Sequence, residues 1–261
     1  MSFGFSLHNN NGQVIVSSYS YNLVYAGRAT YVTEYDFPSY AAGYYASYGI
    51  PTPICNLYTF TFTTTASIIV PFFNCSGYCC LQWFKIASTS GSNITWTMQF
   101  SAVTRPTVYI FQPINPSISY SGTGTGVLVM NNTGGVSYLS TQPHIIPKIA
   151  TTVSNHAIAF ARTAISGGAF YMVWDSSGVY SNSVGSTSLT TPIIHYASPG
   201  SSVYYDGTDY STFWFDPVVQ YSGSNVNVVW GLSTAYGGTG PTLGQGAGSN
   251  LVIIAEGSHF T

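Results

Sequence analysis

Apolar and polar residues alternate with a period of two over much of this chain. In the run Tyr-Thr-Phe-Thr-Phe-Thr that begins at Tyr58, rings at 58, 60 and 62 fall on one side and threonines on the other. Successive side chains of an extended strand point to opposite faces, so this spacing predicts a strand with one buried face. Residues 94–100 repeat the pattern, with Ile94, Trp96, Met98 and Phe100 alternating with Thr95, Thr97 and Gln99, and residues 225–229 follow it too. The 27 glycines and 13 prolines break the chain at short intervals, as in a sandwich or barrel of short strands. No segment sustains a 3.6-residue period. Residues 155–164 carry Ile158 and Phe160 two apart and read equally well as strand or helix, and residues 40–48 allow one short helix. The expected class is all-β.

Within that pattern lies a repeat. The stretch from Gly4 to Ser18 and the stretch from Gly126 to Ser140 share Gly, Asn, Asn, Gly, Val and Ser at a constant offset of 122 residues. Each reads as a strand, a tight Asn-Asn-x-Gly turn and a returning strand, because Asn and Gly tolerate the positive φ of hairpin turns. Residues 170–180 offer a further hairpin, which is ascribed to chance convergence. The repeat extends to a closing pair of strands in each copy: 93–96 then 107–111 in the first, 225–230 then 251–254 in the second. Between the copies, residues 112–126 are Pro-rich and then Gly-rich without a charge, the composition of a linker. The expected architecture is therefore two tandem β-sandwich-like modules, residues 1–118 and 119–261, joined by a Pro/Gly-rich linker.

Charge changes the picture most. The 261 residues include only 5 Lys+Arg and 7 Asp+Glu, or 5% charged, against about 25% in an ordinary soluble domain. A free monomer relies on surface charge to stay apart from its neighbours. A surface this poor in charge points to coverage by copies of the chain or by other subunits, so a homo-oligomer is expected. The formal net charge is −2 and Arg28, Lys85, Arg105, Lys148 and Arg162 are scattered singly, which excludes a nucleic-acid footprint. The longest apolar stretch, 66–73, is interrupted by Ser67 and Pro71 and falls short of the roughly 20 residues that span a bilayer. The opening Met1-Ser2-Phe3-Gly4 has neither the basic region nor the apolar core of a secretion signal, so any exit from a cell is expected by a route such as lysis.

The opening pattern Gly-apolar-x-apolar-x-Asn-x-x-Gly-x-apolar, carried by residues 4–16 and supported by the aromatic strand at 107–111 after Arg105-Pro106, resembles a group of small β-rich bacteriophage proteins of the tail tip and tail fibres of long-tailed phages. The resemblance implies a virion protein at the distal tail, assembled in the host cytoplasm, with other tail proteins as partners and contact with the host surface. It implies no catalytic residues and no cofactor. The second copy is longer and richer in Tyr and Gly than that pattern. A carbohydrate-binding receptor-binding protein and a capsid decoration protein are the alternatives, and a virion-associated hydrolase is a further one.

Candidate chemistry is thin. There is no Gly-x-Ser-x-Gly, and His8, His144, His156, His195 and His259 lie beside no partner set for nucleophilic catalysis. Asp206, Asp209 and Asp216 cluster in sequence, with Glu34 and Asp36 far away; turn-forming capping explains the cluster more simply than calcium or the carboxylate pair of a glycosidase. Cys75, Cys79 and Cys80 do not have a zinc spacing, and together with Cys55 they read as buried free thiols. The Gly-rich stretches 122–126 and 244–248 lack phosphate-loop spacing. What stands out is aromatic content: 22 tyrosines, 15 phenylalanines and 5 tryptophans. Tyr with Ser, Gly and Asn is the composition of recognition loops, and equally of strands that fill subunit interfaces. If a receptor-binding surface exists, the segments 35–50 and 196–216 are where it is expected, with Tyr40, Tyr44, Tyr45, Tyr48, Tyr204, Tyr205 and Tyr210 as its residues.

Overall fold

The computed structural model describes residues 6–8, 14–17, 22–35, 56–115, 126–131, 133–153, 182–186, 189–196, 202–206, 211–222, 225–237 and 250–260. All elements among them are strands. In the first half they are β1 (Ser6–His8), β2 (Val14–Ser17), β3 (Leu23–Arg28), β4 (Thr30–Tyr35), β5 (Asn56–Thr64), β6 (Val70–Asn74), β7 (Gly77–Ser90), β8 (Asn93–Ala102) and β9 (Thr107–Pro113). In the second half they are β10 (Leu128–Met130), β11 (Val136–Leu139), β12 (Pro147–Val153), β13 (Asn182–Ser186), β14 (Pro192–Tyr196), β15 (Ser202–Asp206), β16 (Ser211–Ser222), β17 (Asn225–Gly237) and β18 (Asn250–Glu256). The fold is all-β, and among the described residues every pairing is antiparallel. The helix candidates at 40–48 and 155–164, the hairpin candidate at 170–180 and residues 116–125 of the expected linker lie outside the described residues, whereas residues 112 and 113 of that expected linker belong to β9 and Ile114 is buried.

Two large sheets carry the fold. One has six strands in the order β12-β18-β14-β6-β9-β3; the other runs β13-β17-β16-β7-β8-β5-β4, with β15 also paired to β16. Both sheets draw strands from either side of residue 118. The main core lies between them: Phe60, Met98 and Phe100 of the larger sheet pack with Phe73, Ile110 and Ile254 of the smaller. The period-two reading is met at Tyr58, Phe60, Trp96, Met98 and Phe100, all buried, while Phe62 and Ile94 are partly buried and the alternation ends at Ser101 and Ala102, both buried. Strand β9 is different. Val108, Tyr109, Ile110 and Phe111 are all buried, with Val108 and Ile110 in the inter-sheet core and Tyr109 and Phe111 in a second cluster on the opposite face. A continuous apolar run is what a strand covered on both faces requires.

That second cluster joins Phe72, Tyr109, Phe111, Ile193, Ala255 and Phe260 and takes no residue from the larger sheet. The six-stranded sheet covers it by curling. Val24 of β3 bridges His144, with Tyr25 N–H donating to Pro143 O at 2.8 Å and Ile145 N–H donating to Leu23 O at 3.2 Å. His144 stands three residues before Pro147, which opens β12 on the opposite edge of the sheet. Three residues reach about 10 Å, whereas five interstrand spacings of a flat sheet come to about 24 Å. The two edges therefore meet. Phe260 plugs the curl, its ring 4.9 Å from Phe111 and 5.1 Å from Tyr25, while Arg28 donates to its carbonyl at 3.2 Å.

The expected repeat reappears in the hydrogen-bond registers. Hairpin β1–β2 pairs Ser6 with Ser17, Leu7 with Val16 and His8 with Val14. Hairpin β10–β11 pairs Leu128 with Leu139, Val129 with Tyr138 and Met130 with Val136, the same pairs and the same bulge 122 residues on. The bulge of β3 between Tyr25 and Gly27 likewise returns in β12 between Pro147 and Ile149. A bulge is a built feature and not a defect, so its recurrence at one offset is stronger than similarity of turn residues.

Candidate binding surface on the eight-stranded sheet

Strands β4, β5, β8 and β7 present one broad outward face. Because Phe60, Met98 and Leu81 point into the core, their strand neighbours point out. Register then places Thr33, Thr59, Gln99 and Trp83 in one row, and Thr30, Thr61, Thr97 and Lys85 in the next. A third row holds Thr63, Thr95 and Ser88, and the two threonine hydroxyls lie 3.1 Å apart. Lys85 Nζ sits 4.9 Å from the centre of the Trp83 ring, the geometry of a cation–π contact. Lys85 is the one charged side chain in these rows. At the other end Cys80 and Ser101, opposite each other and also outward by alternation, are buried.

Polar and aromatic groups gather again where β4 forms the sheet edge. All six residues of β4 are exposed. Tyr31 meets Phe60 edge-on, and the Arg105 guanidinium stands 4.8 Å from the Tyr31 ring centre. The bulge at Val32 lets Glu34 fall opposite Tyr58, and Asn56 Nδ2 donates to the Glu34 carboxylate. Burial raises the Tyr58 hydroxyl above its ordinary pKa, and the Glu34 carboxylate adds to the rise while Arg105 opposes it. Tyr35, half exposed, closes the row of Leu57 on the outward face. A groove of about 270 Å³ lies between residues 65–68 and 112–115, closed at one side by Thr64 Oγ1 donating to Gln112 Oε1 at 2.7 Å.

Of the seven tyrosines expected at a binding surface, Tyr40, Tyr44, Tyr45, Tyr48 and Tyr210 lie outside the described residues. Tyr204 and Tyr205 belong to strand β15, opposite Phe213 and Thr212. Within the expected segment 196–216, residues 202–206 and 211–216 are strand, in keeping with Val203, Tyr204 and Tyr205 as strand formers. Sequence reading passed over Trp83, Lys85, Tyr31 and Arg105. Trp83 and Lys85, two apart in a strand, share a face, which was the available signal; Arg105 and Tyr31 are brought together only by tertiary structure. Cys75, Cys79 and Cys80 are buried. Among the described residues no three His, Cys, Asp or Glu side chains converge as metal ligands.

No family model matches the chain, and no match is found among curated proteins or solved structures.

Proposed function

We propose that this protein is a structural component of a bacteriophage virion at the distal tail, in the tip or a fibre, acting by assembly with itself and with other tail proteins and by contact with the host surface. In this reading the chain is two copies of one β module that share their sheets. The observation that carries it is the outward face of the larger sheet: three rows of Thr, Ser and Gln with Lys85 as their single charge. A face of this kind has little to keep a neighbour away and many hydroxyls to satisfy one, so it suits permanent subunit packing. The test is gold-labelled antibody on purified and disrupted particles of the presumed phage. Label at the distal tail is the expected result; label on the head makes this a capsid decoration protein; no label on either preparation overturns the virion reading.

A second reading, a carbohydrate-binding receptor-binding protein, is favoured by Trp83 beside Lys85 on the same face. An aromatic ring and a cation among hydroxyls are the elements of a sugar subsite. It predicts binding to host surface polysaccharide that Trp83→Ala abolishes while far-UV circular dichroism is unchanged.

A further inference from the structure

The two halves of the six-stranded sheet meet through a seam with the form of a dimer interface. At its centre Phe73 of β6 pairs with Ile194 of β14, residues 121 apart in sequence. On one side Asn74 Nδ2 donates to Pro192 O at 2.6 Å; on the other His195 Nδ1 donates to Pro71 O at 2.8 Å. Pro192 follows Pro71, and His195 follows Asn74, at that same spacing of 121. The two bonds are thus mates about an axis through Phe73 and Ile194: a polar side chain on each strand reaches the proline carbonyl of the other. A proline carbonyl still accepts although its nitrogen cannot donate, and with Phe73 and Ile194 as the backbone pair between these strands, a side chain from each strand adds the flanking bond. The opposite closure has a centre of its own, where Ile145 N–H donates to Leu23 O, residues 122 apart. One pseudo-two-fold relation accounts for both contacts and for the strand order, β3-β9-β6 facing β14-β18-β12.

A contact in which i meets j and the equivalent of j meets the equivalent of i is isologous, the hallmark of a two-fold dimer. Each half-sheet is incomplete alone. Without the other it leaves β6 and β3 as open edges, Phe72, Tyr109 and Phe111 uncovered, and Phe73 without its partner. Yet the closing half need not come from the same chain. The stretch that links the halves in sequence, residues 116–125, runs from Pro116 through Ile118 and Tyr120 to Gly122 and Gly124 among Ser and Thr.

We infer that this seam is an assembly interface at which two copies of the chain exchange halves, residues 22–113 of one copy closing with residues 127–260 of the other and the reverse. The occupant is a second copy of this chain, and the product is a closed two-fold dimer with two complete curled sheets. The inference rests on the self-assembly proposed above and names the surface that performs it.

The test uses the full-length protein carrying Leu23→Cys and Ile145→Cys, on opposite sides of the seam, within reach of a disulfide in an antiparallel pair. Single-cysteine variants control for the native thiols. Refolding over a range of concentrations, mild oxidation and non-reducing electrophoresis read which halves have met. The expected result is a band at twice the chain mass that grows with concentration, is absent from the single variants and collapses on reduction. A cross-link only within one chain at every concentration overturns the inference. The solution mass of the parent protein, taken in parallel, separates two failures. Oligomers with intrachain cross-links sink the exchange and leave self-assembly standing; a monomer throughout sinks both. A second pair, Val24→Cys with His144→Cys, spans the same bridge and decides the matter if the first variant does not fold.

Discussion

At the scale of single residues, the apolar interior of the curl depends on Phe260. Phe260 is 4% exposed and packs on Phe111 and Tyr25. Replacing it with alanine removes the ring that fills this space, and the expected loss is about 3–5 kcal/mol, read as a lower urea midpoint with an unchanged m-value. Histidine 195 gives the pH dependence. Burial drives its pKa below the ordinary 6.5, opposed by the hydrogen bond to Pro71 O; a carbonyl only accepts, so Nδ1 carries the proton of the neutral ring. The unfolded chain then binds a proton that the folded chain refuses, and stability present above pH 6.5 declines as pH falls below it. His144, also lowered chiefly by burial, acts in the same direction. Glu256 adds a carboxylate window: burial pushes its pKa up, but N–H groups of Ser258, Thr190 and Thr191 outweigh that and hold it below 4.5. Stability from Glu256 is likewise present above 4.5 and lost in acid. Chemical denaturation from pH 8 to pH 5 is expected to show a falling midpoint whose slope His195→Gln reduces; a flat profile refutes the assignment. These roles were hidden in the sequence. Alternation marked Phe60 and Met98 as core, but nothing local marks His195 as the donor to a proline 124 residues away.

At the scale of elements, the clearest device is the bulge of β3. Gly27 has φ of +139° and a Cβ placed there would stand 3.3 Å from the Phe62 ring. The backbone angle strains any side chain there and the Phe62 ring would have to give way slightly, so Gly27→Ala is expected to cost about 1–3 kcal/mol, measured by thermal or urea unfolding. Gly91, at the turn between β7 and β8 with φ of +58°, has nothing within 4 Å of such a Cβ; its substitution pays only for backbone strain, and the loss there should be smaller. Comparing the two separates packing from conformation. Hairpins were the most legible elements, since Asn-Asn-x-Gly turns specify them locally and both copies carry the motif. The doubly buried strands β9 and β18 were legible as apolar runs, although their second face was not. What covers it is the curl of the whole sheet, which depends on pairings more than 100 residues apart in sequence, Leu23 with Ile145 among them.

At the scale of the molecule, the two halves are expected to unfold as one. Strand β6 is joined to β14, and β7 to β16 through Gly77, Tyr78 and Cys79, while the inter-sheet core mixes Phe73 and Phe100 with Ile194 and Val252. Removing either half exposes the other's interior. Calorimetry should therefore give a single transition with calorimetric and van't Hoff enthalpies equal; two resolved transitions would mean modules that stand independently. The tandem hairpin motif made the repeat visible in the sequence, but how the copies meet could not be read from it, because the Pro-apolar-apolar-polar pattern shared by residues 71–74 and 192–195 is short and does not name its partner. The position of β18 in the middle of its sheet, between β12 and β14, has a bearing on biosynthesis. Strands β3, β6 and β9 are translated early and can pair with one another, yet the last strand that completes their cover is made more than 130 residues later. At typical elongation rates that delay is roughly 7–27 s, throughout which a nascent half-sheet waits with open edges. Neighbouring ribosomes on one message hold the same half-sheet at the same moment, and the first complement each one meets need not be its own.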